Sequence, residues 1–517
     1  MTHPTTAPPR RIHELLDPWV LSQPDAPAVR DAHAALDYAA LDQAGQAAAA
    51  ALQAAGVRAG DRVLLVGENC VALCVLVLAL SRLDAWPATV NARLSPREID
   101  AFIAHAGARR VLYTAHVSAD AARHAERHGA AAVDWPGLQG LLLGPLDAGT
   151  QPEPCAAAAS EQVAAMIYTS GTSGAPKGVM LSHANLLFAA HTLRTQRRFG
   201  PGDLLYGVLP MAHVVGLSIQ FLGSMASGAA LLLEPRFTPQ ALAAALEQQG
   251  ATVFMGVPAM FARLLEQRQG RPLAAPRLRF IGVSGSPLTT SLKAEVERFF
   301  GLPLHNGYGL TETAPTVAQT PVDAPRADCA VGPPVPGVQV RLLDRNGQPV
   351  APGEVGELHV RGPNVMRGYY RNPVQTQAAV DGQGWFNTGD LARRTDDGAL
   401  HIAGRTRELI IRSGFNVYPV EVEQAINAFP QVVQSAVVGR SVDHNEEVVA
   451  FVETRGGAAL DEDGLRRHLR EQLSPYKLPS EIRVLPALPA APTGKVLKNV
   501  LKTMACQPAQ AAVPPLL

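Results

Sequence analysis

Strands and helices alternate regularly between residues 163 and 310, and this alternation restricts the fold more than any other feature of the sequence. Short apolar runs predict the strands, and the stretches that follow them have the spacing of amphipathic helices. This order is typical of a parallel sheet covered by helices, in which ligands bind at the carboxyl ends of the strands. The predicted strands are 163–169, 229–233, 252–255 and 279–283, and the helices that follow them are 185–194, 239–249, 258–267 and 289–300.

A similar pattern precedes this region, in residues 37–115. Residues 62–67 form a short apolar run that suits a buried parallel strand. The most apolar run, 71–80, is predicted as a buried helix, because a helix that spans a bilayer needs roughly 20 residues. The amino terminus has no apolar segment followed by a cleavage site. We therefore expect no integral membrane segment and a cytoplasmic protein.

The pattern changes twice in the last third of the chain. Residues 338–343 and 354–361 predict antiparallel strands joined through a turn at Asn346 and Gly347, and hence a small β subdomain. From residue 419 the order helix, strand, strand, helix, strand predicts a compact α+β unit of roughly 110 residues, large enough to fold alone. These changes divide the chain into a domain of residues 1–404 and a domain of residues 405–517.

Composition excludes several classes of protein. The chain has 45 basic and 45 acidic residues and a formal net charge of zero, so no global field draws it to nucleic acid. Its five cysteines are few, odd in number and without a CxxC pair, which argues against a disulfide framework or a zinc site.

The first motif with a chemical meaning is YTSGTSGAPKG at 168–178. Its glycines allow the backbone to approach a ligand closely, its hydroxyls and amides are donors, and Lys177 adds a cation. This composition, at the end of a predicted strand, is typical of a phosphate-binding loop. The Walker pattern is absent, because no Gly-Lys-Ser/Thr step follows.

Five further segments occur in a fixed order with this loop: GYGLTET at 307–313, WFNTGD at 385–390, GRTRE at 404–408, SGFNVYP at 413–419 and PTGK at 492–495. Together, over about residues 10–503, they resemble the acyl-adenylate-forming superfamily, and most of all its bacterial fatty acyl-CoA ligases. The resemblance implies an α/β fold: a large N-terminal domain of parallel αβ layers with a small β subdomain, then a small mobile α+β domain.

The same resemblance implies an ATP-dependent carboxylic acid–CoA ligase. Such an enzyme forms an acyl-adenylate, releases pyrophosphate, and then makes an acyl-CoA with release of AMP. ATP, Mg²⁺, coenzyme A and a small carboxylic acid are the expected ligands, and a homodimer stays open.

Adenylation brings two anions together, so it depends on charge neutralisation and positioning. The resemblance makes Lys495 the cation that bridges the acid and the α-phosphate. It makes Glu312, with the hydroxyl of Thr169, the magnesium site. The alternative for Glu312 is a helix-start carboxylate satisfied by backbone amides.

For the nucleotide, the resemblance implies that Asp390 binds the ribose hydroxyls, Tyr308 stacks on adenine, Asn306 contacts the adenine edge and Arg405 lies near the ribose or phosphate. The remaining residues expected at ATP or AMP are Thr169, Ser170, Gly171, Thr172, Ser173, Gly174, Lys177, Ser284, Gly285, Ser286, Gly307, Gly309 and Thr311.

The second half-reaction requires a thiol to reach the acyl carbonyl from the side that Lys495 occupies. By resemblance, the C-terminal domain rotates about a hinge at Arg407. The strip Ser413, Gly414 and Phe415 then lines a pantetheine tunnel. The last motif departs from the family pattern, because Ala490 and Ala491 replace a basic and a hydroxyl or amide residue.

The substrate is expected to be a medium- or long-chain fatty acid, because the candidate acyl-pocket residues are small or apolar and carry no fixed cation. Aryl acids, a carrier-protein acceptor, a non-catalytic nucleotide-binding role and a luciferase-like oxidase stay open. His213 is equally well explained as a satisfied core histidine. The candidate acyl-pocket residues are His213, Val214, Gly216, Met255, Gly256, Val283 and Pro315.

Overall fold

The structure, a computed structural model, describes residues 8–170, 176–413, 415–442, 445–454, 457–490 and 496–507. Strands β3 to β7 form one sheet in the order β4-β3-β5-β7-β6, parallel from β4 to β5. The predicted strand 62–67 is confirmed, and the buried helix begins at Val71 as predicted and ends at Arg82. The elements up to residue 143 are α1 (Asp17–Ser22), β1 (Pro27–Arg30), β2 (Ala35–Asp37), α2 (Tyr38–Ala54), β3 (Arg62–Gly67), α3 (Val71–Arg82), β4 (Trp86–Asn91), α4 (Pro96–Ala106), β5 (Arg110–Thr114), α5 (Ala119–Arg127), β6 (Ala131–Trp135) and β7 (Leu138–Leu143).

The middle of the chain supplies most of a second, larger sheet. Its elements are β8 (Val163–Ser170), β9 (Pro176–Ser182), α6 (His183–Arg197), β10 (Leu204–Gly207), a π-helical segment (Val215–Leu222), α7 (Gly223–Ser227), β11 (Ala230–Leu233), α8 (Pro239–Glu247), β12 (Val253–Gly256), α9 (Pro258–Arg268), β13 (Phe280–Val283), α10 (Thr290–Phe300), β14 (Leu304–Gly309) and β15 (Thr316–Gln319). The described strands run in the order β15-β14-β13-β12-β10-β11-β1-β2. Pairing from β14 to β1 is parallel, as the alternation predicted, and β15 and β2 close the edges antiparallel.

The last third of the chain forms smaller sheets. Its elements are β16 (Gln339–Leu343), β17 (Val355–Arg361), β18 (Gly368–Tyr369), α11 (Pro373–Ala379), β19 (Phe386–Arg394), β20 (Leu400–Arg405), β21 (Ile410–Arg412), β22 (Phe415–Val417), α12 (Pro419–Asn427), β23 (Val432–Val442), β24 (Asn445–Thr454), α13 (Glu462–Gln472), β25 (Glu481–Leu485) and α14 (Lys498–Ala505). The antiparallel sheet β16-β17-β19-β20 confirms the predicted β subdomain, and β23-β24-β25 with its helices confirms the α+β unit.

The prediction for strand 163–169 was wrong in one respect. β8 does not join the large parallel sheet; it pairs antiparallel with β9, and β18 completes a sheet in the order β18-β9-β8. The glycine-rich loop therefore connects the two strands of a hairpin, and α6 begins only after β9. Ser182 caps α6 as predicted, because its hydroxyl accepts a hydrogen bond from the amide of Asn185 at 3.2 Å.

Apolar packing is divided among these layers. Helix α3 is buried almost completely, which explains its uniformly apolar sequence. The C-terminal unit has an apolar cluster of its own that includes Ile410, Val422, Val437 and Leu465. Within the residues that the structure describes, no helix combines the length and the apolar character that crossing a bilayer requires.

Candidate active site

A cavity of about 680 Å³ lies at the carboxyl end of the large parallel sheet, between this sheet, the β subdomain and the C-terminal unit. Loops at this end of parallel strands are the usual place for ligands. Most of the predicted nucleotide residues that the structure describes border this cavity: Gly285, Ser286, Asn306, Gly307, Tyr308, Gly309, Asp390 and Arg405.

Strand β14 presents the residues predicted to contact adenine. The side-chain amide of Asn306 donates to the carbonyl of Cys329 at 2.9 Å, and its oxygen accepts from the amide of Gly307 at 2.9 Å. Behind the strand, the buried guanidinium of Arg197 donates to the carbonyl of Asn306 at 3.4 Å. The position of this strand is therefore fixed from its back while its front borders the cavity.

Asp390 is held by two neighbours on the cavity wall. The hydroxyl of Tyr308 donates to its Oδ2 at 2.6 Å, and Nε of Arg405 lies 3.0 Å from its Oδ1. Asp390 and Arg405 are register partners on β19 and β20, so the ion pair follows directly from the strand pairing. Burial, and next the Asp390 carboxylate, raise the pKa of Tyr308 well above its ordinary value, so this hydroxyl remains a donor.

Glu312 lies in a single helical turn, Thr311–Thr313, directly after β14. Its Oε1 accepts a hydrogen bond from the hydroxyl of Tyr369 at 3.0 Å, and its carbonyl accepts from the amide of Met366 at 2.9 Å. The partner of this carboxylate is thus a phenol and not the backbone amides of a helix start. Gly309 can only be glycine here, because an added Cβ would lie 1.6 Å from the carbonyl oxygen of Pro315.

The hairpin β8–β9 brackets the glycine-rich loop. Thr169 and Lys177 are register partners at the end of the hairpin next to this loop, and Nζ of Lys177 lies 5.3 Å from the centre of the Tyr369 ring. The structure therefore brings Lys177 and Glu312 to the same tyrosine. The predicted residues Gly171, Thr172, Ser173 and Gly174 lie outside the described residues, as does the side chain of Ser170.

Lys495 and Ala491 also lie outside the described residues, but the residues on both sides of that segment are described. Ala490 and Val496 form an antiparallel bridge, and Val496 borders the same cavity as Tyr308 and Asp390. Lys498 follows, with its ammonium 2.7 Å from Glu423 and 3.1 Å from Glu408.

The predicted acyl-pocket residues gather at the ends of two parallel strands and beside the π-helical segment. Gly256 and Val283 are register partners at the carboxyl ends of β12 and β13. The amide of His213 donates to the carbonyl of Pro210 at 2.9 Å. A Cβ on Gly216 would lie 2.2 Å from that same carbonyl oxygen, so this glycine allows the chain to pass close to residue 210. Val214 is buried, Met255 is half-buried, and Pro315 follows the Glu312 turn.

The predicted hinge and tunnel residues lie on the C-terminal side of β20. Arg407 is in the turn Thr406–Glu408, between β20 and β21. The amide of Ser413 donates to Oδ1 of Asn445 at 2.7 Å, and Phe415 is exposed and stacked on Tyr476 at 4.6 Å. Neither Ser413 nor Phe415 borders the cavity in this arrangement. Gly414 lies outside the described residues.

Sequence patterns did not predict two side chains that make polar contacts at or near the site, Tyr369 with Glu312 and Lys498 with Glu408 and Glu423. In both cases the contact partners are far away in the chain. The available signal was their position, since Tyr369 follows a Met-Arg-Gly stretch after the β subdomain strand β17, and Lys498 stands three residues after Lys495.

Family comparisons agree with this geometry. The family described as AMP-binding enzyme matches residues 16–370, and that described as AMP-binding enzyme C-terminal domain matches residues 421–495. Feruloyl-CoA synthase of Amycolatopsis sp is 34% identical over 93% of this chain and 96% of its own length. Long-chain-fatty-acid–CoA ligase of Escherichia coli O157:H7 is 29% identical over 96% of both chains.

Solved structures give a similar result. ATP-bound MatB from Rhodopseudomonas palustris superimposes with a TM-score of 0.84 at 32% identity, covering 96% of this chain and 99% of its own. The apo form of MatB from the same organism covers the same shares of the two chains, at 31% identity, with a TM-score of 0.75. The structure thus agrees better with the ATP-bound form than with the apo form.

Proposed function

The chain belongs to the family of AMP-binding enzymes and is an AMP-forming acid–CoA ligase, and from this premise we propose which residues carry each step and which acid is the substrate. The observation that carries the proposal is the shared cavity: the Asp390–Tyr308–Arg405 cluster, β14 and Val496 all border it. A nucleotide bound there would meet the segment that contains Lys495.

In the first step, Asp390 accepts hydrogen bonds from the ribose, and Tyr308 offers its ring to adenine. Carboxylate acceptors form short, strong hydrogen bonds, so one buried aspartate can fix the nucleoside. The acid and the α-phosphate repel each other, and Lys177 and Lys495 supply the positive charge that reduces this repulsion. Arg405 holds Asp390 in place from the adjacent strand.

The donors near the glycine-rich loop fit magnesium. Mg²⁺ usually binds one or two carboxylates together with substrate phosphates and water, and Glu312 with the hydroxyl of Thr169 offers that donor set. When bound, the ion would neutralise phosphate charge. No group of three or more His, Cys, Asp or Glu residues with metal-site geometry occurs in the described residues, so an all-protein cage there is not part of this proposal.

In the second step, the C-terminal domain, residues 405–517, rotates about Arg407 relative to residues 1–404. Support comes from the location of Ser413 and Phe415, which lie away from the cavity in this arrangement and would have to move to line a pantetheine path. The hinge segment is short and lies between two strands, where a change in backbone angles can be absorbed.

The proposed substrate is a carboxylic acid with an uncharged, apolar acyl group. The candidate pocket contains no Lys, Arg, Asp or Glu, and a charged tail would remain unpaired there. Aryl acids are our first candidate, because the feruloyl-CoA synthase is 34% identical to this chain. Medium- and long-chain fatty acids are the second, supported by the long-chain-fatty-acid ligase at 29%.

A panel of acids tests this proposal. Hydroxycinnamic, benzoic, medium-chain, long-chain and dicarboxylic acids are supplied with ATP and Mg²⁺, with and without coenzyme A, and both pyrophosphate and acyl-CoA are measured. We expect CoA esters from uncharged acids and none from dicarboxylates. A preference for dicarboxylates would refute the substrate class, and pyrophosphate release without any CoA ester would refute coenzyme A as the acceptor.

A further inference from the structure

Tyr369 contacts two charged groups that the proposed function uses. Its hydroxyl donates to Oε1 of Glu312 at 3.0 Å, and the face of its ring lies 5.3 Å from the ammonium of Lys177. The tyrosine is 8% exposed, so its hydroxyl has little access to competing water. One side chain therefore connects the proposed metal-binding carboxylate to the lysine beside the glycine-rich loop.

The backbone around Tyr369 holds it rigidly against both partners. Gly368 and Tyr369 form β18, which pairs with Met180 and Val179 of β9, the strand that carries Lys177. Three residues before Tyr369, the amide of Met366 donates to the carbonyl of Glu312. Glu312 is thus bound through its main chain and its side chain to one short segment, residues 366–369.

The two oxygens of Glu312 have different surroundings. Oε1 accepts the Tyr369 hydroxyl, and among the residues that the structure describes no hydrogen bond reaches Oε2. A neutral donor leaves the negative charge of the carboxylate uncompensated, unlike a lysine or arginine partner.

We propose that Tyr369 is a positioning residue that fixes Glu312 through Oε1, so that Oε2 is presented to the divalent cation that accompanies ATP. This inference rests on the proposed function, in which Glu312 is the metal ligand. Positioning by a neighbouring hydrogen bond is a common way in which proteins set the affinity of a metal-binding carboxylate.

The test removes the hydroxyl and keeps the ring. In Tyr369→Phe the contact with Lys177 is retained, and only the hydrogen bond to Glu312 is lost. Binding of Mn²⁺ to the enzyme with a non-hydrolysable ATP analogue is measured by electron paramagnetic resonance. We expect the dissociation constant for Mn²⁺ to rise roughly tenfold, the range for losing a hydrogen bond to a charged group, with metal-free nucleotide affinity unchanged.

The neighbouring residue supplies a matched control. Tyr370 also donates to a glutamate, with its hydroxyl 2.6 Å from Oε1 of Glu153, but Glu153 is not among the residues proposed for ATP or the metal. Tyr370→Phe should bind Mn²⁺ like the wild type. Tyr369→His retains a ring donor, and partial recovery of Mn²⁺ affinity relative to Tyr369→Phe is expected if donation is the cause.

The outcomes separate this inference from the proposed function. If Tyr369→Phe binds Mn²⁺ as tightly as the wild type and Tyr370→Phe, the positioning role is refuted while the metal site stands. If Glu312→Gln binds Mn²⁺ as tightly as the wild type, the assignment of Glu312 itself fails. If Tyr369→Phe does not fold, as judged by circular dichroism, Tyr369→Met removes the hydroxyl in its place: a roughly tenfold weaker Mn²⁺ affinity with unchanged metal-free nucleotide affinity supports the role, and wild-type Mn²⁺ affinity in that folded variant contradicts it.

Discussion

In the proposed function, Asp390 is the residue on which nucleotide binding depends most. It is buried, paired with Arg405 and bound by the hydroxyl of Tyr308, so its orientation is fixed before any ligand arrives. The sequence motif located this residue, but not its partnership with Tyr308, because that hydrogen bond joins strands that are not adjacent in the chain.

Replacing Asp390 with alanine should weaken ATP binding by roughly 10- to 100-fold, since a hydrogen bond to a charged group contributes about 1.5–3 kcal/mol. Isothermal titration calorimetry measures the dissociation constant. Asp397→Ala is the control, because Asp397 is also paired with an arginine, Arg326, but lies in an exposed turn of the same β subdomain. An unchanged ATP affinity in Asp390→Ala would remove this residue from the site.

Lys495 is assigned from its motif alone, so its role stays a prediction that kinetics must test. Lys495→Ala should slow adenylate formation by roughly 100- to 1000-fold, the cost of losing one group that stabilises a developing charge. Conversion of a supplied acyl-adenylate to the CoA ester should be largely kept, since that step is proposed to occur after the domain has moved. Equal loss of both half-reactions would contradict the assignment.

At the scale of elements, Lys498 connects three parts of the C-terminal unit. It begins α14, and its ammonium contacts Glu408 in the turn Thr406–Glu408 and Glu423 on α12. Burial lowers the pKa of Lys498, but Glu423 and Glu408 outweigh it and the pKa is raised overall. This ion cluster therefore joins α12, α14 and the turn Thr406–Glu408, which contains the proposed hinge residue Arg407.

Lys498→Met should reduce the free energy of unfolding of this unit by about 3 kcal/mol, because it leaves two partly buried carboxylates unpaired. Lys502→Met, one turn later on α14, is the control and should have little effect. Chemical denaturation followed by circular dichroism measures both. Equal stability of the two variants would show that the cluster contributes nothing.

The same cluster predicts a pH dependence. Burial acts to raise the pKa of Glu408, but Lys498 lowers it below its ordinary value of 4.5. A depressed pKa stabilises the fold at pH values above the ordinary one, and this contribution is lost as the pH falls through the folded-state pKa. Between about pH 5 and pH 3, wild-type stability should therefore fall more steeply than that of Lys498→Met. If the free energy of unfolding of the wild type and of Lys498→Met changed equally with pH in this range, Lys498 would not stabilise the charged form of Glu408.

At the scale of elements, local sequence patterns determine some strands of this fold but not others. Strand 62–67 was predicted with the bounds that the structure has, because a local run of apolar and β-branched residues determines it. The hairpin β8–β9 was not predicted, because Pro176, Lys177 and Gly178 at the start of β9 belong to the glycine-rich motif at 168–178, and no strand was predicted between this motif and the helix. β9 pairs along its length with β8, and two of its residues, Val179 and Met180, also pair with Tyr369 and Gly368 of β18, a distant contact that no local pattern reveals.

At the scale of the whole molecule, two segments of the C-terminal unit lie differently relative to the cavity. Val496 borders the cavity, whereas Ser413 and Phe415 do not. We propose that this arrangement is the one that serves the first half-reaction. The ATP-bound form of MatB also superimposes better than the apo form, with TM-scores of 0.84 and 0.75. The resemblance implied both arrangements, but sequence motifs do not indicate which of two arrangements a chain adopts.

A cross-link between the two parts makes this arrangement testable. The hydroxyl of Ser291 on α10 donates to the carbonyl of Asn427 at the end of α12, at 3.3 Å. Cysteines at positions 291 and 427 should therefore form a disulfide in a background in which the exposed Cys155 and Cys506 are serine.

When oxidised, this variant should release one equivalent of pyrophosphate and form acyl-adenylate, but CoA ester formation should stop until a reductant is added. The physical reason is that the disulfide prevents the rotation that would bring residues 413–415 to the cavity. Rapid-quench measurement of both products, before and after reduction, provides the comparison, and an oxidised enzyme that makes CoA esters at the reduced rate would show that no such rotation is required.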